Sequence, residues 1–152
     1  MFSRIESFAR NAPHKCLLVL KHHPADRPYR DYTKLIEKLS IIYRVQDRVL
    51  YVHDLHLPTL LKHARATVVM NSTVGLSSIH FNTPVTVLGR AIYKFAGLTA
   101  KGPLNTFWKQ QDPIDVPLYR AFRSWLENNN RCQMVSTRIL EPRKKQPIRC
   151  PH

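Results

Sequence analysis

Lys21-His22-His23-Pro24 puts a fixed cation, two imidazoles and a backbone-stiffening proline in four consecutive positions. A histidine just past a buried strand can donate a hydrogen bond to a phosphate oxygen, and Pro24 stiffens the turn that aims His23. Lys21 adds positive charge at the same place. A second set, Asn71-Ser72-Thr73-Val74-Gly75, brings small amide and hydroxyl side chains to the start of a helical pattern. Such residues offer side-chain oxygens and backbone N–H groups together, and the helix dipole adds partial positive charge, so a phosphate fits. The competing reading is an ordinary helix cap, with Ser72 or Thr73 holding the first turn. A third set, His53-Asp54-Leu55-His56, supplies Asp54 as a cap or as a partner for a ribose hydroxyl. Gly89-Arg90, with Tyr93 nearby, is a fourth. His53 and His56 also invite a metal reading, but spacing fixes no third ligand and structural zinc sites carry tighter signatures. No metal site is expected.

These sets need elements to position them. Cys16 to Leu20 is a continuous apolar run, the pattern of a strand buried on both faces, with Cys16 as a core residue. Tyr32, Leu35, Ile36, Leu39 and Ile42 recur at helical spacing behind Asp31, a capping residue type. Val49–Val52 is a second strand. Leu57–Ala64 is a short helix with Pro58 in its first turn. Thr67–Met70 is a third strand, Val74–His80 a helix, and Val85–Leu88 a fourth strand. A loop-rich stretch, 89–117, leads to a final helix over Leu118–Leu126. Alternation at this spacing implies right-handed crossovers and an α/β, Rossmann-like parallel sheet. Each of the four chemical sets follows a strand. Open parallel sheets bind ligands beyond the carboxyl ends of their strands, so the sets are expected to meet at one sheet edge. Phe107 and Trp108 read as packing residues of the last loop.

Composition narrows the function classes. The chain has 152 residues and a net charge of +14, from 24 Lys and Arg against 10 Asp and Glu. That balance favours an anionic partner: nucleic acid, a membrane surface or a phosphorylated substrate. Nucleic acid is disfavoured because no recognised binding motif is present. Part of the charge sits in a C-terminal basic tail, so the expected organisation is one domain over 1–130 and a flexible tail over 131–152. Three cysteines, Cys16, Cys132 and Cys150, show neither disulfide nor metal spacing, which suits a reducing compartment. The longest apolar run is far too short to span a bilayer. The expected location is the cytoplasm, with peripheral attachment at the inner face of the cytoplasmic membrane as an extension.

Lys-His-His-Pro at 21–24, Asn-Ser-Thr-Val-Gly-Leu at 71–76 and Pro-Val-Thr-Val-Leu-Gly-Arg-Ala-Ile-Tyr at 84–93, followed by Gly-Leu-Thr, Gly-Pro-Leu and Phe-Trp, occur in an order and spacing that resembles bacterial capsule polysaccharide synthesis and export proteins. That family includes β-Kdo transferases. The resemblance runs from about His14 to Leu126. It implies the C-terminal, donor-binding half of a two-domain GT-B glycosyltransferase, a CMP-Kdo-like nucleotide sugar as donor, and a lipid-linked saccharide as acceptor. No cofactor is implied. Carried onto this chain, His23 binds the donor phosphate and Lys21 with Pro24 lies near the cytosine. Ser72 and Thr73, with Asn71 and Gly75 in the same element, hold the phosphate from the other side, and Asp54 faces the ribose.

The chain departs from the family pattern where Ser77 and Ser78 stand in place of a common glutamate, and in its Pro- and Arg-rich end. The first strand begins about fifteen residues into the chain, so the resemblance implies an incomplete enzyme whose catalytic residues are not identified. Its partner would be a separate N-terminal half or the capsule export machinery. The rival reading is a non-catalytic export accessory or binding module that uses the same pocket.

Overall fold

A computed structural model of the protein describes residues 2–22 and 31–129. His23, Pro24 and the expected tail over 131–152 lie outside the described residues. The chain divides into two compact units, residues 1–119 and 120–152. The second is described only through the later part of its helix, where Arg123 pairs with Glu127 at 2.8 Å and Phe122 stacks on Trp125.

The first unit holds two βαβ arrangements. In the first, β1 (Leu18–Lys21) and β2 (Val49–Val52) run parallel, with Leu18 opposite Val49 and Lys21 opposite Val52. Side chains alternate across a strand, so Leu18 and Leu20 share a face with Val49 and Tyr51. That face packs on α1 (Phe2–Asn11) and α2 (Thr33–Ile42), around a core of Ile5, Leu39 and Val45. Ile36 and Leu39 of α2 are buried as their spacing predicted, whereas Ile42 lies outside the core. Asp31 does act at the start of α2. Its Oδ1 accepts the backbone N–H of Thr33 at 2.9 Å and the Thr33 hydroxyl at 2.6 Å. Those two bonds hold the Asp31 carboxyl below the ordinary value of 3.8.

In the second arrangement, β3 (Thr67–Val69) and β4 (Val85–Val87) are parallel and joined through α4 (Val74–His80). All three residues of β4 are buried. α3 (Leu57–His63) packs against α4, and the Thr83 hydroxyl donates to the Leu61 carbonyl at 2.7 Å. The chain then forms a short helix, α5 (Leu104–Phe107), and α6 (Val116–Asn129). α5 packs on α1. Trp108 sets its ring edge-on to Phe8 at 5.3 Å and donates its indole N–H to Ser7 Oγ at 2.8 Å, and Phe107 is buried. The packing role expected for Phe107 and Trp108 is therefore what they perform.

Three expectations are corrected. The four described strands form two separate two-stranded parallel sheets, not one four-stranded sheet. α3, the connection between the pairs, packs on the second of them, and β3 and β4 are three residues each, too short to offer a long ladder to a further neighbour. The first strand is not buried on both faces either: Leu17, Val19 and Leu50 are 65%, 39% and 51% exposed. Cys16 precedes the strand and is half-buried rather than a core residue. Its carbonyl instead accepts from Arg48 Nε, and the same guanidinium reaches the Pro13 carbonyl at 2.7 Å and lies over the Phe8 ring. Helix α5, four residues long, carries no periodic signal, whereas α1 repeats apolar residues at Ile5, Phe8 and Ala9 and buries the first two completely.

Candidate functional site at the strand ends

The inward face of the first pair continues past the strand ends. Leu18 and Leu20 are followed at the same two-residue step by His22, and Val49 and Tyr51 by His53. The result is a cluster of polar rings where an apolar core would otherwise end. His22 is 5% exposed, its backbone N–H donates to the Val52 carbonyl at 2.8 Å, and its Nδ1 meets the Tyr51 hydroxyl. His22 stacks on His53 with centroids 5.0 Å apart and also lies 5.8 Å from the Tyr32 ring. The Tyr51 ring stands edge-on to His53 at 4.6 Å. His22 Nε2 is buried and has no hydrogen-bond partner among the described residues. An orphaned buried donor or acceptor costs about 1–3 kcal/mol, and native structures rarely leave one without a reason. A groove of about 450 Å³ runs between α2 and β2 and ends at Tyr51 and His53.

Lys21 lies on the opposite face of β1 from His22, beside Val52 of the neighbouring strand. Asp54 is exposed, one residue past His53. The first pair thus brings Lys21 and Asp54 to the same strand-end edge, with His22 and His53 between them. His23 and Pro24 follow directly in sequence and lie outside the described residues.

The second pair carries the other group. Beyond the strands, the Leu88 N–H donates to the Val69 carbonyl at 2.9 Å and the Gly89 N–H to the Met70 carbonyl at 2.8 Å. This keeps Asn71–Gly75 next to Gly89 and its successors. A Cβ on Gly89 would sit 2.8 Å from the Met70 oxygen, so the close approach requires glycine. Tyr93, buried, donates its hydroxyl to the Ser72 carbonyl and lays its ring on Gly75, where a Cβ would meet ring carbons at 2.6 Å. Burial raises the Tyr93 phenol above its ordinary 10.0.

The described strand-end residues thus divide between the two pairs, Lys21, His22, His53 and Asp54 on the first and Asn71–Gly75 with Gly89 and Tyr93 on the second. Within the second, the four expected residues do different things. Ser72 Oγ accepts the Val74 N–H at 3.2 Å, a turn bond just ahead of α4, whereas Thr73 at the N-cap makes no side-chain cap bond. Gly75 is buried packing space for Tyr93. Asn71 and Thr73 are exposed at the strand end, with no described residue hydrogen-bonded to their side chains. α4 is seven residues long, so its dipole adds little to anion binding. Ser78, where relatives were expected to carry a glutamate nearby, is fully buried and bonds Thr67 Oγ1 at 2.8 Å and the Thr83 carbonyl at 3.0 Å.

His22, His53 and Tyr93 stood within the strand-end sets of the sequence without an assigned nucleotide-binding role, and Tyr51 stood outside them. The two-residue step from the strands into His22 and His53 was the signal for His22, Tyr51 and His53. For Tyr93 there was none beyond its proximity to Gly89. His56 caps nothing with its side chain, pairing instead with Thr59 Oγ1 at 3.0 Å. Among the described residues no group of three or more His, Cys, Asp or Glu is placed to hold a metal ion, and no helix is long and apolar enough to cross a membrane.

A family model described as capsule polysaccharide biosynthesis protein matches residues 3–134. The chain is 48% identical over 120 residues to the capsule polysaccharide export protein KpsS of Escherichia coli, covering 79% of this chain and 31% of that protein. It is 41% identical over 122 residues to the capsule polysaccharide modification proteins LipB of Neisseria meningitidis serogroups A and B, covering 80% of this chain and 29% of each. The chain thus spans less than a third of the length of the curated relatives it matches. No solved structure matches it. On the family match and these relatives together, the chain belongs to the capsule polysaccharide biosynthesis protein family.

Proposed function

We propose that this chain is the donor-binding half of a GT-B glycosyltransferase in capsule polysaccharide biosynthesis, holding a CMP-Kdo-like nucleotide sugar. The observation that carries the reading is the concentration of hydrogen-bonding side chains at the carboxyl ends of both parallel pairs, inside a chain of +14 net charge. Carboxyl ends of parallel strands are where α/β folds bind nucleotides. A CMP-linked ulosonic acid carries a phosphodiester and a carboxylate. Its transfer breaks the bond between the sugar and the phosphate oxygen, so negative charge builds on the departing CMP. Fixed donors aimed at that phosphate stabilise the transition state more than the ground state.

In this reading His23 donates to the phosphate, and Lys21 with Pro24 lies toward the cytosine. Asp54 accepts from a ribose hydroxyl. Asn71 and Thr73 offer exposed side chains to the phosphate from the second pair, with Ser72 and Gly75 shaping the turn beneath them. The chemistry is metal-independent. The acceptor is a lipid-linked saccharide bound mainly by the remainder of the enzyme, a length of chain that the relatives possess. The net positive charge suits peripheral attachment to an anionic inner leaflet.

Calorimetry of CMP with the wild-type protein and with His23→Ala tests the site. The expected result is binding by the wild type that is weakened at least about tenfold by the substitution. No binding by the wild type, or equal binding by both, overturns the reading. The E. coli relative is described as an export protein, which favours a second reading, a non-catalytic export module. That reading predicts capsule-saccharide binding indifferent to His23→Ala.

A further inference from the structure

We propose that the turn at residues 91–94, with the cations around it, is a membrane-contact surface that docks on an anionic bilayer. The proposal rests on the peripheral attachment that the net charge suits, and it names the surface that makes the contact. Residues 55–111 contain no Asp or Glu, against the cations Lys62, Arg65, Arg90, Lys94, Lys101 and Lys109. That stretch holds α3, β3, α4, β4 and α5. The second parallel pair and its helices therefore carry positive charge that no acid of their own offsets, and a surface of one sign attracts the opposite sign. The basic C-terminal tail is not needed for this imbalance.

The turn shows which anionic surface fits. The Lys94 backbone N–H donates to the Ala91 carbonyl at 3.0 Å and closes a turn with Ile92 and Tyr93 at its centre. Tyr93 is the buried root, set against Gly75 and bonded to the Ser72 carbonyl. Ile92 is 68% exposed. The Lys94 ammonium donates to the Gly89 carbonyl at 2.9 Å and braces the turn a second time. Turn centres are usually filled by Gly, Pro, Asn, Asp or Ser, so folding does not call for a large aliphatic side chain held out in this way. Met70, 46% exposed, meets the start of the turn where its carbonyl accepts the Gly89 N–H. Arg4 of α1 reaches the Met70 sulfur, while Glu6 on the same helix pairs with Arg10 at 2.9 Å. The Met70–Gly89 contact thus gathers three cations, Arg4, Arg90 and Lys94, and two exposed apolar side chains, Met70 and Ile92.

Apolar side chains set among cations suit a bilayer interface. The aliphatic groups enter the headgroup region, and the cations meet anionic headgroups. Single-stranded nucleic acid calls instead for aromatic stacking surfaces, and Ile92 and Met70 offer none. The turn follows β4 directly, so docking here brings the strand-end edge of the second pair to the membrane surface, where a lipid-linked acceptor resides.

Co-sedimentation of the full chain with vesicles tests the surface, using equimolar phosphatidylglycerol and phosphatidylcholine against phosphatidylcholine alone. The variants are Ile92→Ser, Arg90→Ser and a tail control that combines Arg143→Ser, Lys144→Ser and Lys145→Ser, with melting temperatures to confirm folding. The wild type should bind the mixed vesicles and not the neutral ones, less tightly as salt rises. Arg90→Ser should weaken partitioning about fivefold, the worth of one basic side chain at an anionic surface. Ile92→Ser should weaken it by about five- to tenfold through lost apolar burial, and both losses should persist in the tail-control background. If both single variants partition like the wild type and only the tail control loses binding, attachment belongs to the tail and the proposal is overturned, while peripheral attachment stands. If the wild type binds neither vesicle, both fall. Loss of affinity for a single-stranded oligonucleotide in Arg90→Ser, with vesicle binding unchanged in both single variants, would assign the cations to nucleic acid and likewise overturn the proposal. Calorimetry of CMP with the wild type reads the donor site separately from all of these outcomes.

Discussion

The two parallel pairs end in opposite ways. At the end of β3 and β4 the polar groups consume one another. Ser72 holds the α4 turn and accepts from Tyr93, Ser78 bridges Thr67 and the Thr83 carbonyl, and Thr83 reaches Leu61. At the end of β1 and β2 a buried imidazole keeps one nitrogen without a partner among the described residues. Satisfied networks rigidify a scaffold, whereas an unsatisfied buried polar atom lowers stability. The second pair is the rigid platform, and the first keeps one ring nitrogen unpaired among the described residues.

The largest test of the contrast is Gly75→Ala. The new methyl group would meet the Tyr93 ring at 2.6 Å, and the ring is pinned by the Ser72 carbonyl. Overpacking of this kind should cost about 1–3 kcal/mol in urea unfolding; a stability within error of wild type would show that the platform is looser than drawn. The double substitution His22→Leu with Tyr51→Phe should change stability by less than about 1 kcal/mol, because replacing both partners of a buried bond by apolar groups is nearly neutral. A destabilisation as large as that of Gly75→Ala would erase the distinction between the two ends.

The smallest effects separate the ends by pH. The Tyr93 phenol is raised by burial, so its contribution is complete below the unfolded value of 10.0 and is lost as pH rises through its folded value. Tyr93→Phe should flatten the alkaline limb of the stability profile. Asp31 is depressed by its Thr33 bonds, so its contribution is complete above the ordinary 3.8 and is lost as pH falls through its folded value. Asp31→Asn should flatten the acid limb. A carboxyl titration at the ordinary value, followed by NMR, would remove Asp31 from the start of α2.

Much of the local structure was legible in the residues. Val49–Val52 and Val74–His80 are where apolar runs, spacing and capping types placed them, and the neighbouring elements shift by a few residues. The hydroxyls of 71–75 were legible as both cap and ligand, and Ser72 and Gly75 turn out to serve the turn and its packing. The chain itself determined the α/β alternation and the delivery of polar residues to strand ends, because periodicity and turn chemistry act over a few neighbouring residues. Tertiary structure alone decided that the strands pair two by two, that Tyr93 closes over Gly75, and that His22 is buried against Tyr51 and His53. Those outcomes depend on which distant groups meet and which are shut away from water, and contact between residues 21 to 29 positions apart leaves no trace in local spacing.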